Sequence, residues 1–291
     1  MTLIRAMSFS ETALLGALAG FTIYLGLPVG RLALVSARTR VALAMFSVGI
    51  LVFLLVDVLG HGFEIAEDGV AKFEAGEAGF GHALALSLLL TGGFALGSAG
   101  LGILERRLRS APPLPPVAGG ATDLALPADQ QSVEQYTSAA RRHALQTGLI
   151  IAAAIGVHNL AEGLAIGVSA RSGEIGLATV LIIGFALHNA TEGFGIVGPL
   201  GDVTPSWRWL GLAGLIGGAP TFLGAMLGYH VTSDPLELCA YALAGGAILY
   251  VIGEIWHGMR RYGYRELGLL MLAAGFAAGV LTDLVVAYGG G

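Results

Sequence analysis

The sequence predicts an all-α polytopic membrane protein with about eight transmembrane helices, and three observations carry that expectation. Hydrophobic residues make up 55% of the 291 residues and charged residues only 12%, with a mean hydropathy of +0.77. That is far too little charge to cover the surface of a soluble globule of this size. The apolar residues gather into eight windows, each long enough for the roughly 20 residues that cross a bilayer. Finally, arginines crowd onto alternate connections between the windows, the pattern that marks the cytoplasmic side of a membrane.

The first window, 12–35, follows a short tail carrying Arg5 and Glu11. Its apolar run outlasts a signal-peptide core, so it reads as a retained span. The second, 41–65, holds Asp57, His61 and Glu64 toward its outer end at i, i+4 and i+7, roughly one helix face. An acidic loop with Glu67, Asp68, Glu74 and Glu77 follows. It serves either to draw cations toward a pore mouth or merely as a solvated loop. The third window, 81–104, has His82 near its outer end. The single transporter domain, 1–291, is then interrupted by one long connection, 105–143. Arg106, Arg107 and Arg109 open it, Pro112, Pro113, Pro115 and Pro116 follow, and no sustained apolar run occurs, so it reads as a flexible cytoplasmic loop.

Windows four and five, 145–170 and 175–200, carry the chemistry discussed below. The sixth, 207–229, begins at Trp207 and Trp209 and ends beside His230; these tryptophans and Trp256 suit an interfacial aromatic belt. The seventh, 236–259, has Glu254 and His257 at i and i+3 near its inner end. The eighth, 263–288, contains Asp283, expected at the interface. With both ends outside, twelve arginines lie on inner connections and only Arg5, Lys72 and Arg171 on outer ones. The 46 glycines are scattered through the apolar windows, as expected of close helix packing. A net charge of −5 without basic–aromatic clusters gives no nucleic-acid footprint. The lone Cys239 excludes an internal disulfide and a cysteine-based metal site.

Ionisable groups inside hydrocarbon are costly unless paired or hydrated, which makes each a functional hypothesis. Window four contains Val-His-Asn-Leu-Ala-Glu-Gly with His158, Asn159 and Glu162; window five contains Leu-His-Asn-Ala-Thr-Glu-Gly with His188, Asn189 and Glu192. Helical spacing stacks each His over its Glu and brings the Asn alongside. Both motifs sit near mid-window, so two antiparallel helices would bring two imidazoles and two carboxylates together at the bilayer midplane. Neutral imidazole with carboxylate suits Zn²⁺, Fe²⁺ and related ions rather than Ca²⁺ or Mg²⁺. A pair of interhelical His–Glu hydrogen bonds is the bland alternative, weakened by the repulsion of two buried carboxylates.

The run His158-Asn-Leu-Ala-Glu-Gly-Leu-Ala-Ile-Gly-Val-Ser resembles the fourth-helix signature of ZIP (Zrt/Irt-like) transporters, and His188-Asn-Ala-Thr-Glu-Gly resembles the fifth. The resemblance, to the prokaryotic type, covers nearly the whole chain. It implies a ZIP-like fold with pseudo-twofold inverted halves and both ends extracytoplasmic. It further implies a metal site lined by His158, Asn159, Glu162, His188, Asn189 and Glu192, a homodimer, and elevator-like alternating access. Acidic residues in the second and seventh helices make Asp57, His61, Glu64, Glu254 and His257 candidate access-path ligands.

Three departures stand out. Ala161 and Thr191 replace the family's prolines before Glu, which weakens or shifts the helix kinks. Ala219-Pro220 replaces a Glu-Pro pair, so one carboxylate of a two-metal arrangement is missing and a single tightly held ion is expected. The long loop lacks a histidine tract, with only His143 at its end.

The expected function is transport of a divalent transition metal toward the cytoplasm of a bacterium, in a multi-pass protein of the plasma (cell inner) membrane. Zinc is the first expectation; iron, manganese or cadmium are the others. The metal is substrate rather than cofactor, the bilayer is the other partner, and no enzyme activity is expected. An intramembrane metal-dependent hydrolase and a metal channel stay open as alternatives. No His-Glu-x-x-His motif supports the first, and tight midplane ligands argue against rapid conduction by the second.

Overall fold

The computed structural model describes residues 7–32, 36–108, 130–172, 175–230 and 233–290. Among these, every regular element is helical. The polar chain start is set by a capping box: Ser8 Oγ accepts from the amide of Glu11, whose carboxylate accepts the Ser8 amide at 2.7 Å. Helix α1 (Phe9–Phe21) continues as a short α2 (Ile23–Gly26) and a 3₁₀ turn, Leu27–Arg31, that carries Pro28.

Helix α3 (Ala37–Glu74) outruns the second apolar window. Its acidic end, expected as a loop, is more helix: Lys72 and Asp68 pair at 2.6 Å across one turn, and the helix stops only where Gly76 takes φ +73°. The amides of Gly76 and Glu77 then close back on the carbonyls of Phe73 and Lys72, the usual glycine termination of a helix.

The third span comprises α4 (Phe80–Ala95), a π-turn at Leu96–Gly100 and α5 (Leu101–Leu108). Helix α6 (Gln130–Ser172) likewise begins well before its apolar window, because the polar run ahead of His143 extends the same helix. The rest of the expected loop, 109–129, lies outside the described residues, as does the tail 1–6. Then come α7 (Ile175–Val197), the 3₁₀ turn Gly198–Leu200, α8 (Trp207–His230), α9 (Asp234–Arg260) and α10 (Arg265–Gly290).

Seven described helical stretches are long and apolar enough to cross a membrane; α7, a 23-residue helix, occupies the remaining expected window. Large apolar side chains such as Leu14, Leu25, Val56, Leu88 and Val285 face outward, as lipid-facing positions do in a membrane bundle. The protein is thus a helical, multi-pass membrane protein.

The helices pack as two groups. Helices α1, α6, α7 and α8 form one, with α6 on α8 the most extensive contact of the chain; α3, α4, α9 and α10 form the other. At the arginine-rich end, the 198–206 turn is held by several basic side chains. Arg31 donates to the Pro205 carbonyl and Arg141 to that of Thr204, Arg261 donates to Pro199, and Arg40 pairs with Asp202 at 3.0 Å.

Candidate metal site

Helices α6 and α7 bring both motifs together. His158, Asn159, Glu162, His188, Asn189 and Glu192 are all buried, with Asn159, Asn189 and Glu192 fully so. His158 Nε2 lies 3.0 Å from Glu162 Oε1 on its own helix and 3.8 Å from Glu192 Oε1 across on α7. Asn159 Nδ2 donates to Glu192 Oε2 at 3.3 Å. His188 stands beside Phe53 of α3, ring centroids 6.4 Å apart.

The asparagines do more than face the site, and they do it symmetrically. Asn159 donates to the Gly217 carbonyl of α8 at 2.9 Å, and Asn189 to the Ala19 carbonyl of α1 at 3.0 Å. Within α8, Pro220 has no amide proton to give to the carbonyl four residues back, which loosens the ladder beside Gly217. The glycine that closes each motif is also structural. A Cβ at Gly163 would meet the Thr221 carbonyl oxygen at 2.1 Å, and one at Gly193 the Ile23 carbonyl oxygen at 2.6 Å. His-Asn-x-x-Glu-Gly therefore reads as two potential ligands, one amide tether and one close helix contact. Both helices run unbroken through Ala161 and Thr191, as the loss of proline there allows, and Thr191 Oγ1 donates back to the His188 carbonyl.

Nine buried atoms of these six residues have no hydrogen-bond partner among the described residues: both nitrogens of His158 and His188, both oxygens of Glu162, Glu192 Oε1, and the Oδ1 of Asn159 and Asn189. His158 Nε2 and Glu162 Oε1 approach to 3.0 Å without forming a well-made hydrogen bond. Buried polar atoms of native proteins are nearly always satisfied, so such a concentration marks a place built to hold something polar. Among the described residues, however, no three His, Cys, Asp or Glu side chains are already arranged around a metal-sized point. The His158 imidazole instead faces the two carboxylates directly.

A cavity of about 520 Å³ opens beside the site. Glu162 and His188 lie in its wall, and Asp57 and His61 of α3 line it farther out. His61 is 3.9 Å from Asp57 and 3.5 Å from Glu64, so the three share a face as expected, but Glu64 is not part of the lining. Sequence reasoning missed Glu237 and Tyr241 of α9, and it placed Asp283 of α10 at the interface; all three line the cavity. The available signal was the i, i+4 pairing of Glu237 with Tyr241. The cavity lies between the two helix groups, with the motif residues on one side. Glu254 and His257, at the other end of α9, do not line it.

The family model described as ZIP Zinc transporter matches residues 121–283, more than half of the chain and inclusive of both motifs. A comparison with curated proteins found no match.

Proposed function

The chain belongs to the ZIP zinc transporter family, and from that premise we propose that it carries zinc toward the cytoplasm through the paired motifs of α6 and α7. Divalent-metal transport across a membrane follows from the family, with the ion as substrate; iron, manganese and cadmium are the other cargoes the ligand set suits. The observation that carries the site assignment is the group of nine buried, unpartnered donor and acceptor atoms on His158, Asn159, Glu162, His188, Asn189 and Glu192. Two desolvated carboxylates held together repel, and a dication between them removes that penalty.

Slight rotation of the His158 ring away from Glu162 opens the space for an ion. Both asparagine Oδ1 atoms are then neutral auxiliary ligands, their NH₂ groups being fixed on the Gly217 and Ala19 carbonyls. With Ala219 in place of a third carboxylate, the site takes one ion. The cavity supports access from the side opposite the arginines, the extracytoplasmic side by the distribution of positive charge. Its position between the two helix groups supports alternating access by movement of one group against the other. A homodimer in a bacterial plasma membrane completes the reading by resemblance, and light scattering of the purified protein tests the dimer.

Purified protein in sealed proteoliposomes tests the function: zinc uptake is expected, and no uptake of any first-row divalent ion would overturn it. Binding is expected to weaken on acidification, because a metal competes with protons for both imidazoles and both carboxylates. Affinity is expected to fall steadily between about pH 7.5 and pH 5.5, the range over which a free imidazole takes up its proton. A titration flat from pH 7.5 to 5.5 would remove His158 and His188 from the ligand set. Asp57, His61, Glu64, Glu254 and His257 are assigned to the access path. Asp57→Asn is accordingly expected to slow uptake several-fold while leaving equilibrium zinc affinity unchanged, and loss of affinity would move Asp57 into the main site.

A further inference from the structure

A second cavity, about 510 Å³, lies away from the paired motifs, at the arginine-rich end between α3, α9 and α10. Its deep wall is apolar: Val41, Met45 and Met259 are all buried. Its mouth carries Arg260 and Arg265, with the aromatic rings of Trp256 and Tyr264 beside them. Among the described residues, no carboxylate lines it. Three neighbouring arginines are engaged elsewhere: Arg40 with Asp202 and Tyr262, Arg261 with Pro199 and Tyr262, Arg31 with Pro205 and the face of Trp207. Arg260 and Arg265 have no hydrogen bond or ion pair among the described residues.

We propose that this cavity binds an anionic diacyl phospholipid of the arginine-side leaflet, its phosphate between Arg260 and Arg265 and an acyl chain along Val41 and Met45. The argument is charge and polarity matched by depth. Arg260 ends α9 and Arg265 begins α10, where the headgroup layer meets the bundle. Met45 lies roughly one turn of α3 deeper than Val41, at about 1.5 Å per residue, on the hydrocarbon side. Basic pockets between transmembrane helices with an apolar floor are the setting in which anionic headgroups are held, and Trp256 and Tyr264 supply the amphipathic rings of that interface. A soluble anion would use the arginines and leave the apolar wall in water; a zwitterionic lipid would fill the wall and meet its own ammonium with two guanidiniums. The site lies on α3, α9 and α10, the helix group without the paired motifs, so a lipid here would brace that group.

Trp256 is its own reporter. In the full chain carrying Trp207→Phe and Trp209→Phe, phosphatidylglycerol with brominated acyl chains is expected to quench Trp256 at a concentration on the order of tenfold lower than brominated phosphatidylcholine, since each arginine near the surface attracts an anionic lipid. Arg260→Gln with Arg265→Gln should abolish the difference, whereas the charge-matched Arg106→Gln with Arg208→Gln should retain it. Gly268→Leu should reduce quenching by both lipids, because a side chain there grows toward Met45, whose Cγ lies 3.4 Å from an added Cβ. Should the tryptophan replacements impair folding, lipid retention by the otherwise unmodified protein and its arginine variants in native mass spectrometry gives the same comparison. Equal binding of the two lipids, or a difference that survives loss of Arg260 and Arg265, would overturn the proposal. Arginine-dependent thermal stabilisation by inorganic phosphate alone, equal to that by phosphatidylglycerol, would make this a free-anion site and overturn it as well.

Discussion

Glu162→Gln and Glu162→Ala are expected to abolish metal uptake while leaving the protein folded, and the same changes at Glu192 should do likewise. Both carboxylates are buried within reach of the His158 imidazole, and each supplies anionic charge that compensates a desolvated dication. Removing one member of a buried charge pair costs about 3–5 kcal/mol, which is on the order of 10²–10⁴ in affinity. The apo fold should suffer less, because Glu162 has both oxygens unpartnered and Glu192 has one, so few hydrogen bonds are lost with either carboxylate. Uptake into proteoliposomes and a melting curve of the same preparation read the two effects separately. A variant that melts like wild type and still transports at near wild-type rate would remove that glutamate from the ion's path.

Gly163→Leu is expected to do the reverse, destroying the packed bundle before any chemistry is at issue. A Cβ at Gly163 would sit 2.1 Å from the Thr221 carbonyl oxygen and 2.9 Å from the Ala225 amide nitrogen, backbone atoms that cannot rotate aside. Helix α8 would have to retreat from α6 across the most extensive contact in the chain, drawing the Gly217 carbonyl away from Asn159. In hydrocarbon, where small residues at close contacts are a main source of helix association, such overpacking exceeds the about 1–3 kcal/mol typical of inserted methylenes. Gly253→Ala is the contrast, since nothing lies within 4 Å of an added Cβ there; it should be neutral or gain up to about 1 kcal/mol from helix propensity. Thermal unfolding in detergent, with fluorescence-detected size exclusion as a check on assembly, distinguishes them. Equal melting temperatures for wild type and Gly163→Leu would contradict the packing described.

Much of the fold was legible because hydrocarbon imposes one rule, a long apolar helix, on each span. What hydropathy could not place were the helix ends in water. The acidic turns of α3 up to Glu74 and the polar turns of α6 from Gln130 are helical through backbone bonding that composition does not report. That the two motifs would meet inside the bundle was legible because histidine and glutamate are costly inside hydrocarbon and keep the same spacing in two adjacent spans. Their surroundings were not: the tethers of Asn159 and Asn189 end on backbone carbonyls of Gly217 and Ala19, atoms every residue possesses. Asp283 looked interfacial from its place near the end of a span, yet the neighbouring helices turn it into the same cavity as Glu162. Glu237 escaped notice for a similar reason, as an acidic residue in a first helical turn is ordinary capping until its neighbours are known.

The most direct test of the central claim is anomalous diffraction at the zinc edge from crystals of the zinc-loaded, unmodified protein. The account predicts one fully occupied ion between α6 and α7, within bonding distance of Glu162, Glu192 and at least one of His158 and His188, with Asn159 still donating to the Gly217 carbonyl. Transport-competent protein whose only strong zinc peak lay elsewhere, or two fully occupied ions bridged by Glu162 and Glu192, would contradict it.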